Sequence, residues 1–210
     1  MQNREVTREN FEVIDTEREV ELEIESMKFS LAVDRIDLLE SGEQVVIDYK
    51  TGSGNKPSAW MQERPQSPQL PLYSISQEQV DGLSFAQMNR NNPSFTGIAC
   101  SKDLLKGLRL PTPKEIESAD AAVVTGESPG AEAGGEQDSW NITRQLWRER
   151  IGGLAVEIKS GLAVVNPQKH ACRYCDLAGL CRIDPQRLEE VLAEDPEEST
   201  ESDVRSWGQS

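Results

Sequence analysis

Apolar and polar residues alternate along much of the first hundred positions of the chain. A period of two is typical of β-strands with one buried face. The predicted strands are Phe11–Asp15, Val20–Ile24, Phe29–Leu38, Gln44–Lys50, Leu83–Met88 and Phe95–Cys100. Ser41 and Gly42 form a turn signal between the third and fourth of these segments, so the pattern predicts a β-hairpin there.

Helical spacing replaces the alternation in two places. Ser67-Pro68 resembles a helix start, with Pro68 at the first helical position, and this helix is predicted to end near Gln77. A second predicted helix begins around Trp140 and ends at Gly161, because apolar residues recur there at intervals of three and four. They are Ile142, Leu146, Trp147, Ile151, Leu154, Ile158 and Leu162.

Two polar segments interrupt or follow these elements. Residues 111–138 are rich in Pro, Gly, Ala, Glu and Ser, a composition that buries too little apolar surface to order itself, so we expect a flexible insert. Residues 184–210 form an acidic tail that we expect to be disordered. One domain is therefore predicted over residues 1–183. No long apolar run or signal peptide is visible, which predicts a cytoplasmic protein without a membrane partner.

The net charge of −15 argues at first against a partner with a phosphate backbone. Its distribution weakens that argument. Residues 1–25, 115–138 and 184–210 carry −6, −7 and −7, so the rest of the chain carries +5. A mildly basic body with bound cations can accept nucleic acid. The charge count therefore neither supports nor excludes DNA.

An aspartate and a lysine stand two residues apart in the segment VVIDYKTG. Residues two apart on a strand share a face, so Asp48 and Lys50 project side by side. Asp34, on the neighbouring strand of the predicted hairpin, can converge on the same spot. Two carboxylates offer oxygen ligands for Mg²⁺ or Mn²⁺, and a cation beside a lysine suits hydrolysis of a phosphodiester. We predict Asp34 and Asp48 as metal ligands and all three residues as catalytic.

The segment DRID contains a second acid that competes with Asp34. Strand parity places Asp34 with the small side chains of Ser30 and Ala32, and Asp37 on the opposite face with Leu31 and Val33, which favours Asp34. A bulge would reverse this assignment. The simpler interpretation of Asp48 and Lys50 is a solvated ion pair. The second acid on a paired strand argues against it, as does the cost of an unpaired charge within VVID.

IDYKTG, preceded by DRID and followed by Gln69-Leu-Pro-Leu-Tyr73, resembles the PD-(D/E)XK nucleases, specifically their RecB/AddB-like branch. The resemblance implies an α/β fold with a central mixed β-sheet flanked by helices, the restriction-endonuclease-like core. It adds Gln69 and Tyr73 to the catalytic residues, four apart on one helix face. It covers roughly residues 10–110 and 139–183. Relatives place a helix before the first strands, so we expect this chain to be the C-terminal part of a longer polypeptide, with activity that is impaired in this fragment.

Three of the four cysteines follow the spacing C-x2-C-x5-C, at Cys172, Cys175 and Cys181. In a cytoplasmic protein such a cluster favours a metal over disulfides. Zinc, with His170 as the fourth ligand, is one alternative. The same family resemblance implies the other, a [4Fe–4S] cluster that needs a fourth cysteine upstream. Cys100 is better explained as a buried thiol, so we expect an incomplete cluster site here.

Taken together, these residues predict hydrolysis of a phosphodiester that depends on Mg²⁺ or Mn²⁺, and the resemblance implies an exonuclease-like deoxyribonuclease domain. The resemblance implies DNA as substrate and a helicase region or subunit as partner in recombinational repair. No phosphate-binding loop of a motor is present in the sequence. Two alternatives remain: a non-catalytic DNA-binding or scaffolding module, and a zinc-binding interaction domain built on His170 and the cysteines.

Overall fold

A computed structural model describes residues 8, 10–52, 56–89, 93–120, 136–165, 167, 171–172, 175–184, 186 and 188–189. Within these residues the chain forms a six-stranded sheet in the order β1-β2-β3-β4-β5-β6. The strands are β1 (Phe11–Ile24), β2 (Met27–Leu39), β3 (Gln44–Lys50), β4 (Gly82–Gln87), β5 (Ser94–Ala99) and β6 (Leu108–Arg109). The helices are α1 (Gln69–Ser76), α2 (Pro113–Asp120), α3 (Glu136–Lys159) and α4 (Ala178–Cys181), with a 3₁₀ turn at Pro57–Met61. The predicted mixed sheet with flanking helices is confirmed, since β3–β4 and β5–β6 are parallel and the other pairs antiparallel.

The first two segments of alternation join in one long edge strand, β1, and the prediction of two separate strands was wrong. Its pairing with β2 runs from Phe11–Leu39 to Ile24–Met27, with a register shift between Val13 and Asp15. Glu17 has a φ of 52°, a backbone conformation that interrupts the alternation. The register shift is a β-bulge, which adds one residue to β1 without ending the strand, so the two segments of alternation belong to one element.

The predicted hairpin between β2 and β3 is confirmed. Gly42 has a φ of 99°, and its N–H donates to the carbonyl of Leu39 at 3.0 Å. A positive φ of this size favours glycine, because the Cβ of any other residue would collide with the neighbouring backbone. The ladder then pairs Leu38 with Gln44 and continues to Arg35 with Ile47. Turn and register together bring Asp34, in the middle of β2, next to the end of β3 that carries Asp48.

Helix α1 lies in the connection between the parallel strands β3 and β4. Pro68 is the N-cap of the helix and not its first helical residue, as had been predicted. Ser67, directly before it, has a φ of 47°. Residues Leu70 to Ile75 are all buried. Helix α3 closes over the end of α1: the Arg144 guanidinium donates to the carbonyls of Ser74 and Gln77, at 2.6 Å and 2.5 Å. Arginine thereby satisfies carbonyls that a helix end leaves without intrahelical donors.

Three buried tryptophans join α3 to the sheet. The Trp147 indole N–H donates to the carbonyl of Trp60 at 3.0 Å, and that of Trp140 donates to the carbonyl of Val80 at 2.9 Å. Trp147 makes edge contacts with both other rings, and Trp60 lies 4.7 Å from the Phe85 ring on β4. Large aromatic surfaces form the centre of the core, and two of the three indole N–H groups, those of Trp140 and Trp147, donate to backbone carbonyls.

The predicted C-terminal helix is longer at its start and differs in its buried face. It begins at Glu136, and its buried residues include Leu146, Trp147 and Ile151 as expected. Ile142 and Ile158 were predicted on the same face but are 46% and 63% exposed, and Leu162 lies beyond the helix end. Within the predicted insert at 111–138, Pro113–Asp120 is helical, and residues 121–135 lie outside the described residues.

The chain divides into two compact units, residues 1–160 and 161–210. The sequence had suggested a division near residue 183. All six strands, α1, α2 and α3 belong to the first unit, and α4 belongs to the second. Most of the predicted acidic tail lies outside the described residues. Among the helices that the structure describes, none is both long and apolar enough to cross a membrane.

Candidate metal site on strands β2 and β3

The end of β3 carries a buried carboxylate next to a lysine. Val45, Val46 and Ile47 are fully buried, and Asp48 follows them with only 3% of its surface exposed. The Lys50 Nζ lies 2.7 Å from the Asp48 Oδ2 and 6.0 Å from the centre of the Phe85 ring. Phe85 is the β4 residue paired with Asp48. The apolar strand therefore positions the acid and the lysine together, as their two-residue spacing predicted.

Asp34 lies where the β2–β3 ladder ends. The last cross-strand pair on this side is Arg35 with Ile47. Beyond it, the backbone N–H of Tyr49 donates to the Asp34 Oδ2 at 2.7 Å. The negative charge of Asp34 also raises the pKa of Asp48. The structure thus brings Asp34, Asp48 and Lys50 into one site, with the two carboxylates close enough to repel each other.

Burial is the largest influence on the ionisation of Asp48 and raises its pKa above the usual range; the Lys50 ammonium opposes this shift. The Asp48 Oδ2 is buried, and the Lys50 ammonium contacts it at 2.7 Å in an ion pair that also contributes a hydrogen bond. A buried carboxylate oxygen beside a second carboxylate suits a cation, because the cation offsets the cost of burying the negative charge, and Mg²⁺ or Mn²⁺ prefers such oxygens. The residues present therefore fit a divalent metal.

Gln69, the first residue of α1, reaches β2. Its side-chain amide donates to the backbone carbonyl of Ala32, two residues before Asp34. Tyr73 is buried one turn later, with 2% of its surface exposed. Burial raises the pKa of Tyr73, and the charges acting on its phenol are those of Arg18 and Asp15 on β1. Gln69 is thus next to the strand that carries Asp34, whereas Tyr73 is directed towards β1.

The second acid of the DRID segment has a different environment. Asp37 is fully buried and forms ion pairs with two arginines. Arg35 holds it through two bonds, from Nε to Oδ1 at 2.5 Å and from Nη2 to Oδ2 at 2.8 Å, and Arg8 adds a third at 2.8 Å. A carboxylate held by two guanidinium groups has its lone pairs occupied by protein donors.

Two residues near the site were missed from the sequence. Tyr49 holds Asp34 through its amide and accepts a hydrogen bond from Arg35 at 3.1 Å through its phenol. Gln87, the last residue of β4, is paired in register with Lys50, and the Asn89 side chain donates to it at 3.4 Å. Arg35 and Asp37 are two apart on one strand, a spacing that could have revealed their pairing. No sequence signal singled out Gln87.

The cysteine cluster belongs to the second unit. Cys172 and Cys181 are partly buried and Cys175 is exposed, and the Cys175 N–H donates to the Cys172 carbonyl at 3.2 Å. No group of three His, Cys, Asp or Glu residues able to hold a metal occurs within the described residues. His170 lies outside them. Cys100 is buried as predicted, and burial together with nearby acids raises its pKa to about 11.

Comparison with known proteins places this chain in a family. The family model of the PD-(D/E)XK nuclease superfamily matches residues 1–182. The chain belongs to this superfamily, whose members are typically metal-dependent nucleases. The crystal structure of SSO0001 matches with 15% sequence identity and a TM-score of 0.36. That match covers 80% of this chain but 59% of the other, so this chain spans less than two thirds of its length. No curated protein matches the sequence.

Proposed function

We propose that this chain is the nuclease domain of a DNA-processing enzyme, with Asp34 and Asp48 as ligands of Mg²⁺ or Mn²⁺ and Lys50 as the third catalytic residue. One observation carries the proposal: the buried Asp48 carboxylate lies 2.7 Å from the Lys50 ammonium and next to Asp34 across the end of the β2–β3 ladder. A structural ion pair alone does not require a second carboxylate at the same place, since each further negative charge makes the first more costly to ionise.

The residues divide the chemistry between them. A divalent cation held by the carboxylates polarises the phosphate and lowers the pKa of a bound water. Lys50 is 31% exposed at its side chain, so its ammonium can reach both Asp48 and an incoming phosphate. There it orients the attacking water or offsets the charge that develops on the phosphate oxygens. Burial of Asp48 excludes bulk water from one side of the site and strengthens these interactions.

Gln69 and Tyr73 have supporting roles in the proposal. The Gln69 amide fixes the start of α1 against Ala32, so a DNA strand near Asp34 would also lie near this helix. Tyr73 is buried beside the charges of β1 and would act through packing of α1. Substrate DNA, exonuclease-like cleavage, a RecB/AddB-like subtype and a repair helicase as partner all rest on the sequence resemblance. The same holds for a [4Fe–4S] cluster on Cys172, Cys175 and Cys181.

The test is cleavage of end-labelled single- and double-stranded DNA with and without Mg²⁺ or Mn²⁺. Lys50→Ala is expected to lower the rate at saturating metal by at least about a hundredfold, since it removes charge stabilisation from the transition state. Lys102→Ala is the control, an exposed lysine just after β5 at the opposite end of the sheet. Its rate should match that of the wild type.

The outcome also separates the alternatives. Full activity of Lys50→Ala would contradict the catalytic assignment. DNA binding without metal-dependent cleavage would favour a non-catalytic DNA-binding or scaffolding module. Zinc that is lost on substitution of Cys172 would favour the interaction domain, whereas broad visible absorbance would favour the iron–sulfur cluster.

A further inference from the structure

Strands β2 and β3 separate at the proposed metal site. Their last cross-strand pair is Arg35 with Ile47, whereas β3 stays paired with β4 as far as Lys50 with Gln87. Asp48 is therefore held by the pairing of β3 with β4, whereas at Asp34 strand β2 is no longer paired with β3. The pairing ends one residue before Asp34 and Asp48, so backbone bonds between their strands fix the two carboxylates from one side only.

Side chains replace the missing part of the ladder. The Tyr49 N–H donates to the Asp34 carboxylate at 2.7 Å, and the Arg35 Nη1 donates to the Tyr49 hydroxyl at 3.1 Å. The two bonds connect consecutive residues of β2 to one residue of β3. One uses the backbone of Tyr49 and the other its side chain, so together they limit both the approach and the rotation of β3 next to Asp48.

Arg35 is itself fixed. Asp37 accepts two of its N–H groups at 2.5 Å and 2.8 Å, and Asp37 is fully buried. Arg8 also pairs with Asp37 at 2.8 Å. A planar guanidinium held by a forked carboxylate has little freedom to rotate. The hydroxyl of Tyr49 is thus bound to a rigid group and not to a mobile surface side chain.

We infer that Arg35 and Tyr49 are positioning residues that set the distance between Asp34 and Asp48 for the metal. This inference rests on the proposed function, because it assigns a role relative to the same metal site. Outer partners of metal ligands orient them and influence affinity without touching the ion. Asp37, the second acid of the DRID segment, acts here as the anchor of Arg35 and not as a ligand.

The chain allows a mild test, because the Tyr49 side chain is 40% exposed and Tyr49→Phe deletes a single hydroxyl. We expect its Kd for Mn²⁺, measured calorimetrically without DNA, to rise by roughly threefold to tenfold. Arg35→Lys should act in the same direction, since lysine cannot hold Asp37 and Tyr49 with one planar fork. In both variants the Tyr49 amide should exchange its hydrogen faster than in the wild type.

Arg109→Lys is the matched control. Arg109, the last residue of β6, holds Glu115 through a similar fork at 2.6 Å and 2.8 Å, three strands away from β3 in the sheet. Its Mn²⁺ affinity should equal that of the wild type. Unchanged Mn²⁺ affinity and amide exchange in Tyr49→Phe would overturn the inference while leaving the metal site in place. Mn²⁺ binding that persists in Asp48→Asn would overturn the metal site and the inference together.

Discussion

Asp48 carries its carboxyl group in a place where burial opposes ionisation. Its pKa is raised by burial and by Asp34, and the Lys50 ammonium compensates only in part. A raised carboxyl pKa means that the folded chain holds the proton more tightly than the unfolded chain. The contribution of Asp48 to the free energy of unfolding is therefore most favourable while Asp48 is protonated, and it is lost as the pH rises through the folded-state pKa of Asp48. A site that binds cations accepts this cost in the metal-free protein.

Replacing this acid by its neutral isostere should stabilise the metal-free fold. At pH 7 we expect Asp48→Asn to melt at a higher temperature than the wild type, because ionised Asp48 is disfavoured by burial. At a pH below the usual carboxyl range the two proteins should melt alike, which serves as the internal control. Calorimetric melting curves across this range give the measurement. A variant that is less stable at pH 7 would show that the pair with Lys50 outweighs the burial.

How far the site was predictable depends on what encodes each contact. Asp48 and Lys50 were found because side-chain parity on a strand is a local property of the sequence. The choice of Asp34 over Asp37 stays a prediction about function, although Asp37 is held by Arg35 and Arg8. The role of Tyr49 could not be foreseen, because it depends on where the β2–β3 ladder ends, and periodicity does not encode that point.

At the scale of elements, α3 shows what apolar spacing predicts and what it misses. Its start was misplaced because Glu136–Ser139 carries no apolar signal before Trp140. Ile142 and Ile158 fit helical spacing yet are exposed, because the tryptophans rotate the helix so that Trp140 and Trp147 face the core. The largest side chains of the helix therefore decide which apolar face is buried. The surface against which they pack belongs to other elements, so the spacing within the helix does not reveal it.

This difference between faces of α3 predicts two substitution effects. Trp147→Phe should cost roughly 2–3 kcal/mol, since it loses volume in a closed core and leaves the Trp60 carbonyl without its 3.0 Å donor. Ile142→Ala, on the 46% exposed side of the helix, should cost less than about 1 kcal/mol. Urea unfolding of both variants gives the measurement. Equal costs would mean that the helix buries both faces.

The turn between β1 and β2 offers a stabilising change. Glu25 and Ser26 both have positive φ values, of 50° and 63°, in the two-residue connection between Ile24 and Met27. Asn followed by Gly adopts these angles at lower cost. The double change Glu25→Asn with Ser26→Gly should therefore raise the unfolding free energy by about 1 kcal/mol. Gly42→Ala, at a φ of 99°, is the opposing control and should lower it, and thermal melting would compare both.

At the scale of the whole molecule, the proposed metal site lies entirely within the first compact unit. Asp34, Asp48, Lys50 and Gln69 all belong to residues 1–160, and the three clustered cysteines belong to residues 161–210. The two candidate metal sites can therefore be separated by experiment.

A chain that ends at Ser160 should fold and keep its Mn²⁺ affinity within about twofold of the full chain, because the residues of the proposed metal site all belong to residues 1–160. Circular dichroism and calorimetric titration measure the two properties. Cys175→Ser in the full chain is a smaller change than the truncation, and we expect it to leave the Mn²⁺ affinity unchanged. Loss of Mn²⁺ binding in a folded shortened chain would assign part of the site to residues 161–210.

The order of strands in the sheet, which follows their order in the chain, bears on the route by which the protein folds. The β2–β3 hairpin closes a short loop, whereas the bond between Trp147 and Trp60 joins residues 87 apart. Short loops cost less entropy to close and form sooner. We therefore expect substitutions near Arg35 and Ile47 to slow folding more, relative to their effect on stability, than substitutions at Trp147, which is a higher kinetic φ-value in a folding experiment. If the two carboxylates meet this early, Mn²⁺ will accelerate refolding as well as retard unfolding.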